Sequence, residues 1–127
     1  MDSCYEKKEN YLLVKLSGVY EFDSLINELV TMLIEINNRS LKNLFVDCSC
    51  LNLDKLTGME RYYIGEKISE LFTGPNLTDI AVLCDEMYYN RFLENTAYNR
   101  GALIHIYTDR EDIKKWEKSL ANELKCY

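Results

Sequence analysis

In "YLLVKLSG" (11–18) apolar and polar positions alternate. Leu12, Val14 and Leu16 share one face and Lys15 and Ser17 the other, which predicts a strand with one better-buried face. The segment around Cys4 to Lys7 can pair with it through a tight turn near Lys8-Glu9-Asn10. Leu25, Ile26, Leu29, Val30, Leu33 and Ile34 then recur at helical spacing to about Ile36, with Asp23 or Ser24 as the cap and "NNRS" as the stop. "NLFVDC" (43–48) is a short continuous apolar run, the pattern of a central strand covered on both sides. A second helix follows Thr57, with Met59, Tyr63, Ile64, Ile68, Leu71 and Phe72 expected inward, and "TGPNLT" breaks it. "DIAVLCD" (79–85) reads as another buried strand. A third helix is expected from about Met87 to Arg100, with Phe92, Leu93 and Ala97 inward and Gly101 at its stop. "ALIHIY" (102–107) is the last strand. The last helix follows, with Ile113, Trp116, Leu120 and Leu124 on one stripe.

The order is β-β-α-β-α-β-α-β-α. Strands alternating with helices imply right-handed crossovers, so the expected architecture is an α/β fold. It has a mostly parallel, five-stranded mixed sheet packed with four helices, and an antiparallel edge from the first hairpin. At 127 residues, one domain spanning 1–127 is expected.

Composition narrows the function classes. The formal charge of −6, with its cations scattered, argues against a nucleic-acid partner, because phosphate binding needs clustered cations. No apolar run reaches the roughly 18 residues that a membrane span needs. The polar start "MDSCYEKKEN" does not resemble a secretion signal. Together with five cysteines, an odd number, this predicts free thiols and a reducing cytoplasm.

The stretch "VDCSCLNLDKLTGMERYY" (46–63) carries the most specific pattern. A strand ends in Asp47, a loop follows, and Thr57-Gly58 opens a helix. This layout resembles the STAS fold of sulphate-transporter domains and anti-sigma-factor antagonists, the SpoIIAA-like proteins. In the antagonists the Ser or Thr of this pair is phosphorylated by a partner kinase. Here Lys55-Leu56 stands directly before Thr57, where antagonists usually carry Asp-Ser, and Asp54 lies three positions ahead. The second half resembles a subgroup of bacterial STAS-like proteins through Asn99-Arg100-Gly101, Asp109 and Trp116.

The resemblance implies a non-enzymatic regulatory module that binds a protein, either a regulatory kinase or a second copy of itself as a homodimer. No catalytic residue, cofactor or metal is assigned. Thr57 is the phosphoacceptor it implies, and Asp54, Thr57, Gly58, Arg61 and Tyr62 are the implied partner surface. The same Thr57 also fits a plain structural role, since "TGME" is a capping box. A helix N-terminus tolerates phosphate too. The alternative function is binding of a small apolar or anionic ligand of lipid type, since some STAS-like proteins resemble the CRAL-TRIO fold. Tyr88 and Arg100 are the candidate contacts for such a ligand, although Arg100 can equally pair with a helix carboxylate such as Glu94.

Other chemistry-bearing residues have ordinary readings beside the functional ones. Asp47, Asp85 with Glu86, and Asp109 sit at predicted strand ends, where carboxylates can hold Mg²⁺ but more often cap or solvate. Thr108 or Asp109 can cap the last helix. Cys48 and Cys50 are expected on opposite sides of their strand. His105, the one histidine, reads as a hydrogen-bonded strand residue. Of the ten tyrosines, Tyr62-Tyr63 and Tyr88-Tyr89 are adjacent pairs with one member of each expected more buried, leaving Tyr62 and Tyr88 at the surface.

Overall fold

The computed structural model describes residues 1–91 and 100–125. Two antiparallel strands, β1 (Asp2–Lys7) and β2 (Leu12–Val19), open the chain, followed by helix α1 (Phe22–Asn38). Then come β3 (Asn43–Asn52), α2 (Gly58–Leu71), β4 (Asp79–Leu83), β5 (Leu103–Tyr107) and α3 (Arg110–Lys125). Short 3₁₀ turns occupy Gly74–Asn76 and Glu86–Arg91. The sheet has five strands in the order β1-β2-β3-β4-β5, with β2 to β5 mutually parallel.

The described residues contain three α-helices rather than four. The expected third helix falls partly on Glu86–Arg91, which is 3₁₀, and otherwise on 92–99, outside the described residues. Gly101, placed there as a helix stop, has φ +93°, a region that favours glycine.

The continuous apolar runs are buried on both sides of the sheet, as the pattern requires. One layer packs Leu12, Val14, Leu44, Val46, Ile80 and Ile104 against Leu29, Met32 and Ile36 of α1 and Ile64, Ile68 and Phe72 at α2. The other packs Leu13, Phe45, Ala81 and Leu83 against Ile113, Trp116 and Leu120 of α3. Trp116 lies edge-on to Tyr11 at 5.4 Å between ring centroids, and its Nε1 donates to Asp79 at 3.2 Å. His105 is a strand residue as expected, paired with Ala81 in the β4–β5 ladder. Its Nε2 stands 3.8 Å from the same Asp79 carboxylate, and its ring stacks on Tyr107.

Three local expectations are corrected. Helix α1 starts two residues early: Glu21 is its N-cap and makes no side-chain cap bond. Ser24 instead donates to the Glu21 carboxylate at 3.2 Å. Strand β3 runs on to Asn52, past a register shift between Lys15 and Ser17 of β2, which shortens the loop before Thr57. Four apolar side chains expected inward are exposed: Val30 (37%) and Ile34 (51%) on α1, and Met59 (71%) and Tyr63 (51%) on α2.

The edge strand β1 is fastened to α1 rather than left to its hairpin alone. Ser3 donates to Glu28 at 3.0 Å, and the Tyr5 hydroxyl donates to the same carboxylate. Burial, then Glu28, pushes the Tyr5 phenol well above its ordinary range.

Candidate functional site

The start of α2 is built from a compact turn. The Tyr20 amide donates to the Asn52 carbonyl at 2.9 Å, tying the ends of β2 and β3 together. The Asn52 side chain then accepts from the Asp54 amide at 2.9 Å, and the Leu56 amide donates to the Leu53 carbonyl at 3.0 Å. Leu53 is buried and Leu56 half-buried, so the turn is pinned from beneath.

Thr57 follows in extended conformation, φ −92° and ψ 161°, which suits an N-cap. Its Oγ1 accepts from the Glu60 amide at 3.1 Å, while the Glu60 carboxylate accepts from the Thr57 amide at 3.3 Å. The capping box read in "TGME" is therefore closed. The sequence pattern did not disclose a third member: the Tyr20 hydroxyl donates to the same Glu60 Oε1 at 3.3 Å. Burial and then the Glu60 charge raise the Tyr20 phenol above its usual range. Thr57→Ala is expected to cost about 1 kcal/mol, measurable as a shift in the urea midpoint, whereas Thr57→Ser keeps the cap hydroxyl and is expected to leave the midpoint in place.

Around this cap, Asp54, Thr57, Gly58 and Tyr62 are exposed and Arg61 is half-buried, so they share one loop–helix patch. Tyr88 is corrected: it is the buried member of its pair, and Tyr89 is exposed. The Tyr88 hydroxyl donates to Asp54 Oδ1 at 2.8 Å, which ties the 3₁₀ turn to the loop ahead of Thr57. Arg100 also reaches this patch. Its Nη2 lies 2.9 Å from Glu66 of α2 and donates to the Tyr62 hydroxyl at 2.9 Å, with the guanidinium over the Tyr62 ring. Glu94, the partner named from the sequence, lies outside the described residues. Both side chains considered as ligand contacts are thus engaged with residues of the Thr57 surface.

The strand-end carboxylates do not gather. Asp85 accepts from the Met87 amide at 3.2 Å, and Asp109 accepts from the Glu111 amide at 2.9 Å as the cap of α3. Asp47 is buried and accepts from the Ser49 amide at 3.0 Å, the Ser49 hydroxyl at 2.6 Å and Arg110 at 3.3 Å. Burial pushes the Asp47 carboxyl up, but these donors outweigh it and hold it below its ordinary value. No group of three metal-ligating side chains forms among the described residues. Cys48 and Cys50 differ in burial because of the register shift opposite Lys15–Ser17, which adds a residue to β3 between Asp47 and Cys50; in a regular strand residues two apart share a face. Cys48 is buried, which pushes its thiol up, and Cys50 is exposed.

An apolar cavity of about 60 Å³ lies between α1, α2 and the sheet, lined by residues such as Leu29, Met32, Ile64, Ile68 and Phe72. It holds a few methyl groups at most. No helix of the described residues is long and apolar enough to cross a membrane.

No family model matches the sequence, and no curated protein matches it. The solved structures do provide a likeness. The crystal structure of an anti-sigma factor antagonist from Mycobacterium paratuberculosis superposes with a TM-score of 0.58, over 87% of this chain and 88% of that one, at 15% identity. The chain has the STAS fold. At that identity the two share architecture, and the side chains of the site must be argued on their own. In this STAS fold, Thr57-Gly58 opens the second helix, and the residues that surround it come from β2, the β3 end, the 3₁₀ turn after β4 and the segment before β5.

Proposed function

We propose that this chain is a non-enzymatic, cytoplasmic regulatory module that works by binding a protein partner. The contact is the patch of Asp54, Thr57, Gly58, Arg61 and Tyr62, and phosphorylation of Thr57 by a regulatory kinase controls it. The observation that carries the reading is an exposed hydroxyl cap at the start of α2, in a fold shared with an anti-sigma factor antagonist.

The chemistry of the switch follows from the cap. A phosphate adds about −1.5 to −2 charges, and the positive end of a helix stabilises them. It then competes with the Glu60 carboxylate for the Thr57 amide. Like-charge repulsion expels Glu60, and Tyr20 loses its acceptor. One modification changes charge, side-chain position and hydrogen bonding over the whole patch. The apolar cavity favours this reading over a lipid-type ligand, since about 60 Å³ falls well short of the few hundred Å³ that such ligands occupy.

The test is the intact mass of the protein purified from its own host across growth conditions. One added phosphate, absent from Thr57→Ala, is the expected result. A protein that stays unphosphorylated in every condition, or that carries its phosphate elsewhere, overturns the switch.

A further inference from the structure

Two carboxylates flank Thr57 symmetrically along the chain, Asp54 three positions before it and Glu60 three after. Each is held by a buried phenol from a remote element. Tyr20, just past β2, donates to Glu60 at 3.3 Å, and Tyr88, in the 3₁₀ turn after β4, donates to Asp54 at 2.8 Å. The Tyr20 arm belongs to the cap itself. The Tyr88 arm reaches a different part of the surface, because its neighbours in the turn, Met87 and Tyr89, are exposed.

Bonds made within the turn are local. The Tyr88 amide donates to the Asp85 carbonyl at 2.9 Å, and the Met87 amide to the Asp85 carboxylate at 3.2 Å. The Tyr88 hydroxyl instead crosses to the loop ahead of Thr57, 34 residues away in sequence. Asn52 Oδ1 lies 3.5 Å from the same hydroxyl, and that oxygen already accepts from the Asp54 amide. Without Asp54 the phenol loses its short bond to this loop, and Asn52 offers a long one in its place. Asp54 is exposed and free to turn toward water. Three residues of chain span at most about 11 Å, and the turn closed by the Leu56 amide shortens that. A phosphate on Thr57 is therefore near enough to Asp54 for the two charges to be felt at about 0.1 M salt. It brings about −1.5 to −2 charges, against the single positive charge of Lys55 between them.

We propose that the Tyr88–Asp54 bond is a latch between the 3₁₀ turn and the Thr57 loop, and that a phosphate on Thr57 opens it by repelling Asp54. The inference rests on the phosphoacceptor reading of Thr57 and extends it: the surface under its control takes in Met87 and Tyr89. The Tyr88 ring stays packed in the core layer, so opening the latch reorients the turn without unfolding it. Tyr88 is a positioning residue that acts through Asp54.

The test installs phosphothreonine in place of Thr57 in the full chain by genetic encoding, so it needs no host kinase. Phosphorylation is expected to move the NMR amide signals of Met87, Tyr88 and Tyr89 together with that of Asp54. In Tyr88→Phe, which keeps the ring and removes the hydroxyl, the latch is already open. The turn signals then start near their phosphorylated positions, and phosphate moves them little. Urea unfolding of the same four proteins closes a double-mutant cycle. Phosphate is expected to change the midpoint less favourably in the parent chain than in Tyr88→Phe, whereas a purely structural role for the phenol gives equal changes. Lys55→Gln alters only an exposed turn position, removes the intervening cation, and is expected to enlarge the shifts at the turn. Turn signals that stay in place on phosphorylation, or an equal effect of phosphate on both midpoints, overturn the latch. Phosphate found or not found on the protein from its own host decides the phosphoacceptor reading, so the two fail separately.

Discussion

Phe72→Ala is expected to remove about 3–5 kcal/mol of stability, a large share of the 5–15 kcal/mol typical of a whole domain. Phe72 is fully buried, and its amide donates to the Ile68 carbonyl at 2.9 Å, closing the last turn of α2. Its ring fills one wall of the cavity of about 60 Å³ beneath that helix. That void persists although Met32, Leu29 and Ile68 border it, so the neighbours have not collapsed inward and are poorly placed to fill a second hole. The cost therefore belongs in the upper part of the range for such truncations. Urea unfolding monitored by circular dichroism reads it as a lower midpoint with unchanged slope. Phe72→Leu, which keeps most of the volume, is expected to cost about 1 kcal/mol. A Phe72→Ala loss below that level would mean that α2 can settle onto the sheet, and the cavity would then be a space the helix can enter.

The second large effect is expected at Asp47, a buried carboxylate held by Ser49 and Arg110 at the end of an apolar strand run. Asp47→Ala strips the acceptor from two Ser49 donors and from Arg110. Leaving such donors unpaired costs about 1–3 kcal/mol each when they are truly buried. Arg110 and Ser49 reach water, so a total near 2–3 kcal/mol is expected. The variant Asp47→Asn separates charge from shape. The folded carboxyl sits below its ordinary value, so the folded state holds the charged form more tightly than the unfolded chain does. Its contribution is fully present above pH of about 4, the unfolded pKa, and is lost as pH falls through the folded value. Stability measured from pH 7 down to 3 is expected to fall less steeply in Asp47→Asn than in the parent chain. Equal slopes would mean that the Ser49 and Arg110 bonds do not favour the charged form.

Much of the fold could be read because its determinants are local. "NLFVDC" and "DIAVLCD" are apolar on both alternating sets, which only a sheet covered on both sides can bury. The capping box at Thr57 and Glu60 lies within one turn of helix, and it is present as read. What the sequence did not show depends on distance along the chain or on rotation about a helix axis. Asp47 follows an apolar strand, and its partner Arg110 is 63 residues further on. No local pattern pairs them. Tyr20 is 40 residues from Glu60, so the third member of the cap was equally hidden. Tyr88 and Tyr89 exchange roles because the segment is 3₁₀ rather than α-helical, and each residue there turns by a different angle. On α1, Leu29, Val30, Leu33 and Ile34 all satisfy helical spacing. A helix lying on a sheet buries a narrower arc than the periodicity spans, so Val30 and Ile34 fall on the outer edge.

The sheet order β1-β2-β3-β4-β5 bears on how the chain is made. Every strand lies beside the strand synthesised just before it, so none has to wait for a later segment to supply its neighbour. The hairpin of β1 and β2 closes over the short stretch between Lys7 and Leu12, the least costly loop in the sheet. Each later strand adds to an edge that already exists as the ribosome releases it, with a crossover as the spacer. Folding can then keep pace with translation, and an unfinished chain presents one growing edge at any moment instead of several competing ones.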